Sequence, residues 1–205
     1  MENNFIIRLE EEKDYKETEN LTREAFWNVY RPGCVEHYVL HRFRDRPDFV
    51  KQLDYVMEKD GKLIGHIMYS RAQIKRDGGG ILNVMTFGPF SILPEYQKKG
   101  YGSALLNFTM QKAKELGAHA LAITGNIEVY GKSGFFVAKN FGIRYEADPD
   151  ADYFLIKELV PDCLKGVSGT YADPDGYFVD EIEAEKFDKE FCFKEKKILS
   201  GQIFN

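Results

Sequence analysis

Gln97-Lys98-Lys99-Gly100-Tyr101-Gly102 is the stretch that decides the fold. An apolar run, Val84 to Leu93, precedes it, and a helical run, Ser103 to Met110, follows. The order is therefore strand, glycine turn, helix start. The first N–H groups of a helix have no partner inside it, and the helix dipole is positive at that end. Glycine admits positive φ and lets the backbone approach a ligand closely. Together these features read as an anion site suited to phosphate or pyrophosphate, with Lys98 and Lys99 adding charge at the rim. A tight turn with no ligand is the plainer reading of the same six residues. Neither the Walker spacing G-x-x-x-x-G-K-S/T nor the dinucleotide fingerprint G-x-G-x-x-G is present around them.

Upstream, Phe5 to Leu9 reads as a first strand, and a helix is expected from about Tyr15 to Tyr30. Leu21, Phe26 and Tyr30 would supply its buried stripe, and Arg31-Pro32-Gly33 would stop it. A second helix is expected over 35–44, carrying Glu36, His37 and His41. The two histidines share a face at spacing four, which fits a metal pair or simply a polar face; the order is not H-E-x-x-H. Arg42, Arg44 and Arg46, interleaved with Asp45 and Asp48, read as a solvated face. Strands follow at 53–58 and 63–72, joined by a tight hairpin at Asp60-Gly61. The next strand, Ile81 to Leu93, contains Gly88-Pro89, read as a bulge or bend because proline removes a ladder donor.

Downstream, a helix over 102–116 with a stripe of Leu106, Met110 and Ala113 ends at Gly117. A buried strand over 118–124, a short helix with Glu128, Tyr130 and Lys132, and strands at 135–137 and 153–159 complete an α/β pattern. The hairpins make the sheet mixed, largely antiparallel in its N-terminal half. The aromatics after 160, among them Tyr171, Phe187 and Phe191, are too many for a disordered tail.

Composition sets the bounds. The 205 residues suit one large domain or a domain with an extension, and 43% apolar residues support a real core. A net charge of −5 argues against general nucleic-acid binding. The three cysteines, Cys34, Cys163 and Cys192, have no metal or disulfide spacing, which makes a reducing cytoplasm the expected location. The start Met-Glu-Asn-Asn-Phe lacks a basic n-region, and no apolar run approaches the ~18 residues of a membrane span.

The run Phe90 to Leu106 resembles the acetyl-CoA signature of the GNAT superfamily of N-acetyltransferases, Q/R-x-x-G-x-G/A after a strand ending near a proline. Gly125 to Phe135, with Tyr130-Gly131-Lys132-Ser133-Gly134-Phe135, is similar to the family's later Y-x-x-x-G-F element. Both motifs fall within residues 84–136, and weaker similarity outside them points to a branch of predicted bacterial acetyltransferases. The resemblance implies a GNAT-like domain over 1–160, and the aromatic-rich remainder reads as a C-terminal extension over 161–205 packed on it, lining the acceptor pocket or pairing two subunits.

The resemblance also implies the chemistry: direct transfer of an acetyl group from acetyl-CoA to an amine, with no acyl-enzyme and no metal. The loop Gln97, Lys98, Lys99, Gly100, Tyr101, Gly102 and Ser103 would hold the pyrophosphate. Phe90, Ser91 and Ile92 would run beside pantetheine, as would Asn126. Tyr130 matches the family's general acid, and its phenol is near a thiol in acidity. The fourth-strand glutamate common in the family has no counterpart in Leu82 to Phe87, so Glu128, Glu24, Glu36, His41 and His66 stay open as base. Residues 26–46 flank the acceptor pocket in the resembled fold. A small-molecule amine is the expected acceptor; a peptide amine, or a non-catalytic acyl-CoA-binding regulatory role, are the alternatives. No nucleic acid or membrane partner is expected, and a homodimer is possible.

Overall fold

The computed structural model describes residues 4–203, so the reading of the extreme N-terminus lies partly outside the described residues. The chain divides into two compact units. The first comprises the chain up to Met68, Gly88–Leu106 and the segment from Asp175; the second comprises Tyr69–Phe87 and Asn107–Pro174. Residues beyond 160 are thus shared between both units.

In the first unit, β1 (Ile6–Leu9) pairs antiparallel with β2 (Tyr55–Lys59), and β2 with the first half of β3 (Lys62–Arg76). The hairpin between β2 and β3 turns at Asp60 and Gly61, with φ of 53° and 76°, the left-handed pair that tight hairpins need. The end of β4 (Ile81–Ile92) lies beside β3, where the Leu93 N–H donates to the Ile64 carbonyl at 2.9 Å. Helices α1 (Tyr15–Phe26), α2 (Glu36–Phe43) and α5 (Glu181–Asp188) belong to this unit. Leu21, Val56, Leu63 and Leu93 form one apolar cluster, and Val39, Leu40, Phe43 and Met68 form another.

Helix α1 is shorter than the sequence pattern predicts. It ends at Phe26 because Asn28 takes φ of 60°, a conformation asparagine tolerates better than most residues. The Asn28 side chain then accepts from the Gly33 N–H at 2.8 Å, and its own N–H donates to the Gly33 carbonyl at 2.9 Å, closing a loop over residues 28–33. Tyr30 leaves the helix and is 43% exposed, so it is not part of the buried stripe.

The arginines around 44 also differ from expectation. The Arg44 side chain is buried, and its guanidinium donates to both Glu10 oxygens at 3.0 and 2.9 Å and to Glu19 at 2.7 Å. Thr18 donates to Glu10, and the His66 Nε2 lies 2.8 Å from Asp54 Oδ1. The network fixes α1, α2, β2 and β3 in one register. Arg23 is likewise buried and meets Asp188 at 2.6 Å, tying α5 to α1. Burying such charges is costly unless they are fully paired, which is why these arginines carry two or more bonds each.

In the second unit, β4 pairs parallel with β5 (Ala120–Thr124) at Met85–Leu121 and Thr86–Ala122. β5 pairs antiparallel with β8 (Phe154–Glu158), which also carries the two-residue β6 (Phe136–Val137). Two strands escaped the sequence reading: β7 (Ile143–Tyr145) and β9 (Gly169–Ala172), which pair in parallel while β9 adds antiparallel to the second half of β3. Gly169 makes that addition possible, since a Cβ there would sit 2.4 Å from the Lys75 carbonyl. Helix α3 (Tyr101–Glu115) starts in the first unit and continues in the second. Its stripe is buried as expected at Leu106, Met110 and Ala113.

His37 gives the first unit a pH dependence. Its ring lies between Phe187 and Phe191, at 5.5 and 5.3 Å, and is fully buried. Burial lowers its pKa from 6.5 to about 4, against the pull of Asp188 and with the push of Arg23. The unfolded chain therefore binds the extra proton between these values and the folded chain does not. Stability from this group is present above pH 6.5 and is lost as pH falls towards 4. Urea unfolding between pH 7 and 4.5 should show a loss on the order of 2 kcal/mol that shrinks in His37→Gln. An identical slope in the variant would place the dependence elsewhere.

Candidate functional site

The glycine loop is built within the first unit. β4 ends at Ile92, a short turn over Pro94–Tyr96 follows, and α3 begins at Tyr101. Two residues between them are left-handed, Lys98 at φ 58° and Gly100 at φ 89°. Alternation of this kind turns successive N–H groups towards one side and makes a concave anion nest. The first intrahelical bond is Ala104 N–H to the Gly100 carbonyl at 3.0 Å. The N–H groups of residues 101–103 precede that bond, so the helix itself offers them no acceptor.

Gln97 has a structural role in this arrangement. Its side-chain amide donates to the Ile92 carbonyl at 2.9 Å, stapling the loop to the end of β4. Lys99 donates to the Glu95 carbonyl at 2.7 Å, while Glu95 pairs with Lys62 at 2.8 Å. Tyr101 is buried edge-on against Phe5 and Tyr96, at 5.9 and 5.8 Å, and anchors the first turn of α3. Phe90 and Ile92 pack beneath Gly102. Ser91 is buried, and its hydroxyl donates to Thr22 at 3.2 Å, so only its backbone is available at the strand edge.

The two glycines differ in kind. Gly100 needs positive φ, although a Cβ there would meet open space. Gly102 has ordinary helical geometry, and a Cβ there would touch Phe90 and Ile92 at 3.5 and 3.6 Å, normal contact distances.

Asn126 and Tyr130 belong to the second unit. Asn126 caps α4 (Ile127–Tyr130), its Oδ1 accepting from the Glu128 N–H at 2.8 Å. The Tyr130 ring packs against Phe87 and Phe135, at 5.9 and 5.8 Å. It also lies over Gly125, where a Cβ would fall 2.5 Å from the ring. Gly125 thus has a steric reason that spacing alone did not reveal. Tyr130 is half-buried, so its packing does not by itself compete with a chemical role.

The candidate bases have distinct surroundings. His66 is fully buried against Asp54, whose pKa burial raises to about 6. His41 is exposed and bonded to Glu19 at 2.9 Å, and Glu24 pairs with Lys194 at 2.7 Å. Glu36 accepts from the Val35 N–H, and burial raises its carboxyl above the ordinary range. His37 and His41 point to different partners, Cys34 and Glu19, so they do not form a metal pair. Glu10, Asp54 and His66 do gather potential ligand atoms within 4.8 Å, yet Arg44 already supplies the compensating cation there.

Cys34 has a histidine partner that the sequence did not disclose: its Sγ lies 3.4 Å from His37 Nδ1. Burial raises the thiol pKa and lowers that of the imidazole, so both stay neutral. A neutral buried thiol is a poor nucleophile.

Gly100→Ala should cost roughly 1–2 kcal/mol, the left-handed penalty of a side chain, whereas Gly102→Ala should stay within about 0.5 kcal/mol. Chemical denaturation of both variants measures this; equal costs would contradict the assigned conformations.

The model of the acetyltransferase (GNAT) family matches residues 15–135, more than half of the chain. YjhQ, an uncharacterized N-acetyltransferase of Escherichia coli strain K12, is 28% identical over 83 residues, 40% of this chain. That match spans 45% of YjhQ, so the chain covers less than half the length of this relative. The GNAT family N-acetyltransferase YhbS of Escherichia coli, solved in complex with CoA, superposes with a TM-score of 0.74 at 23% identity, covering 84% of this chain and 91% of its own. A GNAT family acetyltransferase from Brucella melitensis, solved with acetyl-CoA, gives a TM-score of 0.66 at 25% identity over 85% and 99% of the two chains. With both motifs in place and the family model spanning them, this chain belongs to the acetyltransferase (GNAT) family.

Proposed function

We propose that this chain transfers the acetyl group of acetyl-CoA directly to a primary amine of a small molecule. The observation that carries the reading is the left-handed turn at Lys98 and Gly100 opening onto the N-terminus of α3. Backbone N–H groups of residues 98–103 would hold the pyrophosphate, and Lys98 would add charge. Backbone groups of Phe90, Ser91 and Ile92 would accompany the pantetheine arm, with one amide polarising the thioester carbonyl. Asn126 would contact the arm through the amide end not engaged in capping. Acetyl-CoA itself supplies an activated acyl group, so the protein needs only to position the amine and move two protons.

Tyr130 is proposed as the acid that protonates the departing thiolate. The Y-x-x-x-G-F motif and the room that Gly125 leaves for the ring support it. A small acceptor is favoured over a peptide by what covers residues 26–46. Tyr38 packs on Ala184 and Phe187, and Trp27 and Asn28 both donate to the Glu195 carbonyl, at 3.0 and 3.1 Å. A face covered by its own C-terminal segment offers little open groove for an extended chain.

Tyr130→Phe should bind acetyl-CoA with unchanged affinity in calorimetry and lose at least about tenfold in amine-dependent thiol release across an amine panel. Unchanged turnover would remove Tyr130 from the mechanism. Binding without release on any amine or peptide would favour the non-catalytic acyl-CoA-binding reading.

A further inference from the structure

The second unit contains a cavity of about 430 Å³, within the roughly 300–1,000 Å³ typical of ligand sites. It lies at the edge of β8, past the point where β6 stops pairing: β6 covers Leu155 and Ile156, and the cavity opens beside Lys157 and Glu158. Its apolar wall includes Ile156 and Leu164, both buried, with Phe136 and Phe141 at the mouth, 57% and 39% exposed. Those two rings lie 6.0 Å apart, tilted by 58°.

Two lysines give this apolar cavity its sign. Lys157 enters from β8 and donates to the Ser133 carbonyl at 2.7 Å. Its Nζ occupies the space a side chain at Gly134 would need, since a Cβ there would lie 2.6 Å away. Burial lowers the pKa of this ammonium, which lies 6.0 Å from the Phe135 ring and has no ion-pair partner among the described residues. Lys114, exposed at the end of α3, adds a second ammonium to the lining. The acidic side chain in the wall, Glu158, is tied up: its two oxygens accept from the Leu164 and Asp162 N–H groups, at 2.7 and 3.2 Å. A partly desolvated cation without a counter-ion beside aromatic walls is an incomplete ion pair.

We propose that this cavity is a binding site for a small monocarboxylate with an apolar body, held by Lys157 and packed against Phe136 and Phe141. The carboxylate completes the ion pair that the protein leaves open, and the rings exclude water from it. Lys114 and Lys157 together with the Glu158 carboxylate leave the lining with one net positive charge, which suits a single negative charge better than a polyanion such as a nucleotide. The site is independent of the glycine loop and of the proposed acetyl transfer.

Titration of the protein with benzoate and with hexanoate, in the presence of saturating CoA, tests the proposal by NMR. At least one probe should bind saturably, Lys157→Met should weaken it by at least about tenfold, and Phe136→Ser should weaken it several-fold. The Lys157 ammonium should titrate at higher pH once the probe is bound. Absence of saturable binding below about 10 mM, undiminished binding in Lys157→Met, or displacement of the probe by CoA would each overturn it. Should Lys157→Met fail to fold, the Lys157 titration in the wild type decides, and an unmoved midpoint overturns the proposal.

Discussion

The acetyl transfer proposed for this chain depends on a single backbone constraint, the pair of left-handed residues at 98 and 100. They turn the chain between the end of β4 and the start of α3, the backbone geometry from which an anion nest is built. Gln97 holds one side of the turn to Ile92, and buried Tyr101 holds the other. The dipole of a 15-residue helix then adds to the N–H groups it leaves unpaired. A site of this kind recognises an anion by geometry, so lysines at its rim are accessory.

A second constraint governs the first unit. Arg44 and Arg23 are buried cations, each fixed by carboxylates from other elements. Such pairs contribute little net stability over apolar packing, but breaking one leaves a charge uncompensated, at a cost of about 3–5 kcal/mol. They therefore specify which helix lies where. Arg23 and Asp188 join α1 to the C-terminal helix, so that the segment after Asp175 is held by electrostatics as well as by Phe187 and Phe191. That segment covers the helices flanking the expected acceptor region, which makes it a determinant of what amine can enter under the proposed function.

Much of this was legible in the sequence because it follows from local rules. Asp60-Gly61, the Gln97–Gly102 loop and the α3 stripe each declare themselves through backbone preference or periodicity. What stayed hidden depends on long-range partners. Arg44 reads as a surface residue until Glu10, 34 positions away, meets it. The pairing of Cys34 with His37 needs the fold of one turn, and its inertness needs the burial around it. Strands β7 and β9 are only three and four residues long, too short to show a period, and it is pairing with each other and of β9 with β3 that makes them strands. The early end of α1 was missed because Pro32-Gly33 is a louder stop signal than a single left-handed Asn28. The roles of Gly125 and Gly134 were hidden for the same reason: each makes room for a side chain, Tyr130 or Lys157, from outside its own turn.

The measurement that tests the central claim most directly compares acetyl-CoA with acetyl-pantetheine, its analogue without the pyrophosphate and nucleotide, by calorimetry on the intact chain. If the loop recognises pyrophosphate, acetyl-pantetheine should bind at least about a hundredfold more weakly, and adding free pyrophosphate should compete with acetyl-CoA. Equal affinities for the two thioesters, with no competition from pyrophosphate, would contradict the assignment of Gln97 to Gly102 as the cofactor-binding loop.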